Sequence, residues 1–261
     1  SPYGKVATVT SQKKFGTASG EFKGSGEYLS LVDSGDWDIL AVDFTIDFWI
    51  RPAAAISANN AIVHHYQNDN NYWTLYIDDN VTGGFSNRCN FQINTAATVS
   101  NNYFDFTASS NTWYHIAIVS NGSSITHMFL NGISQSVTHT GSYATTNYAG
   151  NLYVGAYGGS SNWANGCLDE LRISKGISRW TSNFTPPSAP YEVDTTLPTV
   201  SSTSPASSST GVGVSSAISA TFSEDMDSST ITTSTFTLSS SSGSVSGTVS
   251  YSNKVATFTP S

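Results

Sequence analysis

Apolar and polar residues alternate with a period of two through most of this chain. The pattern is cleanest in FTIDFWIRP, where Phe44, Ile46, Phe48 and Ile50 fall on one side and Thr45, Asp47, Trp49 and Arg51 on the other. Pro52 closes that run, as proline does at a strand end. The same period predicts strands over 27–33, 61–66, 71–78, 88–94, 112–120, 126–132, 151–157 and 165–174. Asn131-Gly132 predicts a two-residue hairpin, because both residues tolerate positive φ. No window repeats apolar residues at helical spacing, and a single helical turn near KGISRW is the most helix expected. Many short strands without helices predict an all-β sandwich or barrel.

After Pro186-Pro187 the chain becomes rich in Ser, Thr and Pro, and the later strands (217–223, 234–240, 244–251, 254–260) carry smaller side chains. The expected division is a first domain over 1–191, a linker over 192–198 and a second domain over 199–261. NGCLDELRIS, 165–174, is the odd strand. Leu171 and Ile173 alternate with Glu170 and Arg172, and Asp169 is a second carboxylate within it. An acidic residue inside a strand calls for a cation, a hydrogen-bond partner or exposure.

Composition narrows the function classes. Only 11% of the 261 residues are charged, against about a quarter in an ordinary globular domain. Solubility therefore falls to Ser, Thr, Asn and Gly, as in secreted and surface-displayed β proteins. The net charge of −8 and ten scattered Lys and Arg argue against a nucleic-acid partner. No apolar run reaches the length of a membrane-spanning helix. The abrupt start at Ser1-Pro2-Tyr3 is read as that of a processed or excised piece of a secreted, cell-surface or virion-surface protein.

Candidate chemistry is sparse. Adjacent His64 and His65 point to opposite faces of a strand and cannot share an ion. Asp47 beside Arg51 reads as an ion-paired surface group. Alternation groups Cys89 with Phe91 and Ile93, and Cys167 with Leu171 and Ile173, so both are expected to point inward. They form either two buried free thiols or a Cys89–Cys167 disulfide, which an oxidising compartment permits. Aromatic residues flanked by Asn, Asp and Gly suit sugar rings, and Trp163, Tyr157, Tyr66, Asn68 and Trp73 are the candidate ligand-binding residues.

FKGSGEYLSL, VDFTIDFWIRP, TWYHIAIV, MFLNG, LYVGA and CLDELRISKGISRW follow one another in an order that resembles the laminin-G-like, concanavalin-A-like lectin/glucanase superfamily, in its bacterial or phage form, over residues 3–185. Farther on, the stretch containing FSEDMD (222–227) resembles the start of a bacterial S-layer-type Ig-like domain. The resemblance implies a jelly-roll β-sandwich followed by a smaller, incomplete Ig-like β-sandwich. It implies a structural Ca²⁺ held by the Asp169 carboxylate and by carbonyls around Gly24 and Gly26. Hydrolases of this fold carry an E-x-D-x-x-E carboxylate set on one strand, which this sequence lacks, so no enzymatic activity is expected. Relatives carry a further strand upstream and more strands downstream. Open edges are therefore expected beside LDELRI and KVATFTP, from a fragment of a longer chain or from strands supplied by neighbouring copies.

The function expected is that of an extracellular, non-catalytic surface or adhesion protein. Its jelly roll recognises a glycan or a surface protein, and its Ig-like domain is a spacer. The rival expectations are a structural subunit of a filament, sheath or virion fibre assembled by strand sharing, and an accessory module of a secreted glycan-degrading enzyme.

Overall fold

A computed structural model of the chain describes residues 2–3, 6–54, 56, 59–79, 87–192, 196–226 and 228–261. The chain divides into two compact units, Ser1–Tyr191 and Glu192–Ser261. Residues 193–195 of the expected linker, and Asp227 of FSEDMD, lie outside the described residues.

The first unit is built from β1 (Pro2–Tyr3), β2 (Ala7–Val9), β3 (Ser19–Lys23), β4 (Tyr28–Leu31), β5 (Asp43–Pro52), β6 (Asn60–Asn68), β7 (Asn71–Asp78) and β8 (Asn87–Thr95). It continues with β9 (Thr98–Phe106), β10 (Tyr114–Asn121), β11 (Ile125–Leu130), β12 (Ile133–Ser134), β13 (Thr138–Thr140), β14 (Asn151–Val154) and β15 (Asn165–Lys175). An eight-stranded sheet runs β1-β4-β14-β6-β7-β8-β9-β13, and a seven-stranded sheet runs β12-β11-β10-β5-β15-β3-β2. KGISRW forms no helix.

The two sheets enclose one apolar core. Phe44, Ile46, Phe48 and Ile50 of β5 share it with Trp73, Leu75 and Ile77 of β7 and with Cys89, Phe91 and Ile93 of β8. Trp73 stacks on Phe91 at 5.8 Å and donates its indole N–H to the Trp37 carbonyl at 3.2 Å. Asn131 and Gly132 adopt φ of 51° and 78° and join β11 to β12 as the hairpin their sequence predicts.

β15 carries the main departure from simple alternation. Its pairing with β5 runs Asp169 to Trp49 and then Arg172 to Asp47, so one extra residue is inserted there. Glu170, at φ 52°, takes the left-handed conformation at this bulge. Leu168 on one side of it and Ile173 on the other therefore both face the core. Cys167 falls on the outer face instead, across from Arg51 and Glu21. This corrects the inward reading of Cys167. It also rules out the Cys89–Cys167 bridge, because the two buried thiols are free and sit on different faces.

The outer face of the seven-stranded sheet is covered by the chain that follows β15. Trp180 and Phe184, stacked at 4.0 Å, pack over Ala117, Val119 and Phe129. Beside them Asp47 is fully buried, not a surface group, and its partner is Arg172, not Arg51. Arg172 grips it with two bonds of 3.0 Å, the Tyr191 hydroxyl donates to the same carboxylate, and His115 Nε2 lies 3.5 Å away. Burial alone would push this carboxyl up. The His115, Arg172 and Tyr191 contacts outweigh burial and hold it below the usual carboxylate range.

Of the two expected open edges, one is present in part and one is not. β3 pairs with β15 only over Asn165–Leu168, the amides of Lys14 and Phe15 donate to the Asp169 side chain, and among the described strands none pairs with that side of β15 beyond Leu168. The second unit comprises β16 (Val200–Ser204), β17 (Ile218–Phe222), β18 (Leu238–Ser240), β19 (Gly243–Val245), β20 (Gly247–Ser252) and β21 (Val255–Pro260). Its four-stranded sheet runs β16-β17-β21-β20, so KVATFTP is an interior strand, and β18 pairs with β19. Among its described residues Ala220, Ala256 and Phe258 are the buried apolar ones.

β9 has no counterpart among the predicted strands. Its hairpin with β8 turns at Ala96-Ala97, with φ of 49° and 66°, conformations that alanine resists. Replacing Ala96-Ala97 by Asn-Gly is expected to raise the unfolding free energy by about 1–2 kcal/mol in a urea titration. An unchanged midpoint contradicts this account of the turn.

Candidate functional site

The site follows from the side of each strand that the core does not use. Trp73, Leu75 and Ile77 point inward, so Tyr72, Thr74, Tyr76 and Asp78 line the outer face of β7. By the same alternation β8 presents Arg88, Asn90, Gln92 and Asn94, and β9 presents Asn101, Tyr103 and Asp105. Register sets Tyr76 opposite Asn90, and Gln92 opposite Asn101. Their side chains join into one network. Tyr72 donates to Gln92 at 2.7 Å, Gln92 to Asn101 at 2.8 Å, and Asn90 to Asn101 at 2.9 Å and to the Tyr76 hydroxyl at 2.6 Å.

The loop after β14 folds over one side of this face. Tyr157 stacks on His64 at 4.0 Å and meets Tyr72 edge-on at 5.4 Å. Gly158 and Gly159 adopt φ of 57° and 71°, which lets the loop turn tightly enough for the Gly158 N–H to donate to His64 Nδ1 at 2.8 Å. Burial, and secondarily the neighbouring His65, push the His64 imidazole down to about 3, so it is neutral and its proton sits on Nε2. His65 lies on the opposite face against Trp73 and contacts the Gly150 carbonyl at 3.0 Å. Between the loop and the sheet is a cavity of about 190 Å³, lined by Asn59, Ala61, Tyr76, Gln92, Tyr157 and Asn162.

The residues singled out in the sequence separate on this map. Tyr157 lines the cavity. Trp163 is half-buried and stacks on Tyr28 at 6.0 Å. Tyr66 contacts Tyr157 and donates to Asp69 at 2.8 Å. Asn68 caps its own turn through the Asn70 N–H and the Asn71 side chain. Trp73 is only 1% exposed, because its position on β7 is inward, so it is corrected from ligand contact to core residue. Tyr76, Gln92, Asn90 and Asn101 are the residues sequence reasoning passed over. For Tyr76, Asn90 and Gln92 the signal was present as the polar half of the alternation in NYWTLYID and RCNFQIN, whereas Asn101 lies on β9, which the sequence pattern did not predict.

The implied calcium ion does not fit the residues proposed for it. Lys23 pairs with Asn165, and Gly24 stands against the Asn165 side chain. Asp169 is four residues farther along β15, roughly 13 Å away at about 3.3 Å per residue. Ligands of one Ca²⁺ lie about 2.4 Å from it, so Gly24 and Asp169 cannot share an ion. Gly26 adjoins a loop already closed by Glu27, whose carboxylate accepts the Ser25 N–H at 3.0 Å. The Asp169 carboxylate accepts three main-chain N–H groups, from Lys14 (2.8 Å), Phe15 (3.1 Å) and Glu170 (3.0 Å). Lys14 Nζ lies 3.8 Å from the Trp49 ring centre, placing a cation close by. Asp169 thus anchors the 14–15 segment. Among the described residues no group of three His, Cys, Asp or Glu could hold a metal. Asp169→Ala is expected to lower stability by about 1.5–3 kcal/mol, while Ca²⁺ and a chelator leave the melting temperature unchanged. A Ca²⁺-dependent rise in melting temperature refutes the anchor reading.

Comparison with known proteins agrees with this architecture. The family model of the concanavalin A-like lectin/glucanases superfamily, of laminin G type, matches residues 23–178. That of the bacterial Ig-like domain matches 194–261. No curated protein sequence matches the chain. Among solved structures, a botulinum neurotoxin serotype D/C binding domain is similar at 14% identity and a TM-score of 0.50, over 67% of this chain and 43% of the toxin domain. Domain 4 of an extracellular arabinanase from Geobacillus stearothermophilus, in complex with arabinotriose, is similar at 15% identity and 0.47, over 66% and 76%. Two domains of the mouse laminin alpha1 chain are similar at 20% and 0.45, over 60% and 40%. At these identities the likeness is one of fold. With a jelly-roll sandwich first and a small Ig-like unit after it, the chain belongs to the concanavalin A-like lectin/glucanases superfamily.

Proposed function

We propose that this chain is an extracellular, non-catalytic recognition protein. Its first unit binds a glycan on the outer face of the eight-stranded sheet, and its Ig-like unit serves as a spacer in surface attachment or adhesion. The observation that carries the reading is the lining of the cavity. Two phenols and three amides converge on it, and no carboxylate or histidine reaches it among the described residues. Phenol and amide groups supply directional hydrogen bonds and an apolar ring surface, the two things a sugar ring uses. Glycoside hydrolysis, in contrast, needs two carboxyl groups flanking the bond to be cut. Asp47, the most deeply buried carboxylate among the described residues, is closed off under Arg172 and Tyr191 on the other sheet.

A further feature supports the surface role: the chain is acidic overall and poor in charged residues, so Ser, Thr, Asn and Gly carry its solubility. No helix among the described residues is long and apolar enough to cross a membrane. Calorimetric titration of the chain with neutral pentose and hexose oligosaccharides should detect binding. Gln92→Ala and Asn162→Ala should each weaken it about tenfold, equivalent to about 1.4 kcal/mol. Binding that survives both substitutions unchanged removes the site from consideration.

A further inference from the structure

The directions of the hydrogen bonds in the site define what it can accept. Gln92 Oε1 receives the Tyr72 hydroxyl at 2.7 Å, so Gln92 Nε2 faces Asn101 Oδ1 at 2.8 Å and the Tyr76 oxygen at 3.4 Å. Asn101 Oδ1 also receives Asn90 Nδ2 at 2.9 Å, which fixes the Asn90 amide. Asn90 Nδ2 then donates to the Tyr76 oxygen as well, at 2.6 Å. With two N–H groups on its oxygen, Tyr76 has its own proton left to give. At the other end, Asn90 Oδ1 is buried with no hydrogen-bond partner, on a residue 4% exposed. An unfilled acceptor of that kind is rare in a folded interior. The network therefore leaves one donor, the Tyr76 O–H, open at the cavity, while the unpartnered Asn90 Oδ1 is closed off behind it.

The surrounding charge decides the sign of the ligand. Among the described residues no Lys or Arg lines the cavity. Arg88, two residues from Asn90, is bound to Asp105 through two bonds, at 2.7 and 3.2 Å, and its guanidinium lies 3.6 Å from the centre of the Tyr103 ring. Asp78 lies on the same outer face, two residues from Tyr76. Burial first, and Asp78 second, push the Tyr76 phenol up to about 12, so it remains a donor across the physiological range.

We propose that the site selects neutral saccharides with a free hydroxyl placed to meet the Tyr76 O–H and rejects sulfated and sialylated ones. This inference rests on the glycan reading above. One sugar hydroxyl accepts the Tyr76 O–H, the Gln92 and Asn162 amides lie along the same wall, and Tyr157 offers its ring to the apolar face of the sugar. At about 190 Å³ the cavity holds the volume of about six waters, which is the scale of one sugar ring and not of a folded peptide. A sulfate or carboxylate entering it would lose its hydration with no cation to replace it.

The test is a binding survey of the full chain against neutral pentose and hexose oligosaccharides, heparin-derived sulfated oligosaccharides and sialylated oligosaccharides, each at low and high salt. Neutral sugars should bind with affinity unchanged by salt, since no ion pair forms. A deoxy analogue lacking that hydroxyl, and the Tyr76→Phe variant, should each bind about tenfold more weakly. Binding confined to the sulfated or sialylated sugars, lost at high salt, overturns this inference and leaves the glycan-binding role standing. A deoxy analogue that binds as well as its parent also overturns it. Failure of all three classes to bind overturns both readings.

Discussion

A carboxylate buried within the seven-stranded sheet, Asp47, constrains the first unit more than any other single group. A charge in that position is tolerable only when paired and hydrogen-bonded, and removing one partner of such a pair costs about 3–5 kcal/mol. Arg172 satisfies it from β15, and the bulge at Glu170 gives Arg172 the register to do so. Tyr191 reaches the same carboxylate from the end of the unit, and its N–H is held by Glu170 Oε2 at 2.6 Å. Residues 176–191 are thereby drawn across the sheet, with Trp180 and Phe184 over Phe129. One outer face of the sandwich is closed by its own chain, and the polar network lies on the other.

That division of labour explains the character of the site. The strands β7, β8 and β9 bury every second residue in the core, which fixes the backbone to which the outward residues are attached. The outward residues are phenols and amides whose hydrogen bonds run in one direction, from Tyr72 through Gln92 to Asn101 and from Asn90 to Tyr76. A network with each amide orientation determined by its neighbours is already arranged before a ligand arrives, and binding spends little on ordering it. The same economy appears at Asp169, where main-chain N–H groups occupy the carboxylate that the family resemblance assigns to calcium.

Much of this was legible in the sequence, and the failures have physical causes. β5 and the Asn131-Gly132 hairpin could be read directly, because period-two burial and turn chemistry act locally. β9 was hidden because Ala96-Ala97 makes its turn without the residues that usually announce one. Cys167 was assigned to the wrong face because a single inserted residue inverts the alternation upstream of it. Asp47 was paired with Arg51 for nearness in sequence, whereas its partner is 125 residues away. For the site, attention to aromatic loop residues found Tyr157 but also Trp73, which only the three-dimensional register shows to be core. The strand residues Tyr76, Asn90 and Gln92 become a site through pairing across strands, and no linear spacing encodes that.

The central claim is that recognition takes place on the outer face of β7, β8 and β9. Side-chain amide resonances of Asn90, Gln92, Asn101 and Asn162 in the isotope-labelled chain test it most directly, followed by NMR during titration with a neutral oligosaccharide. The account predicts that these resonances shift together in one saturable transition, while the side-chain signals of Asn68 and of Asn183, which accepts the Ser134 N–H at β12, stay in place. Saturable shifts confined to Asn68, Asn183 or the Ig-like unit, with Asn90 and Gln92 unmoved, would contradict it.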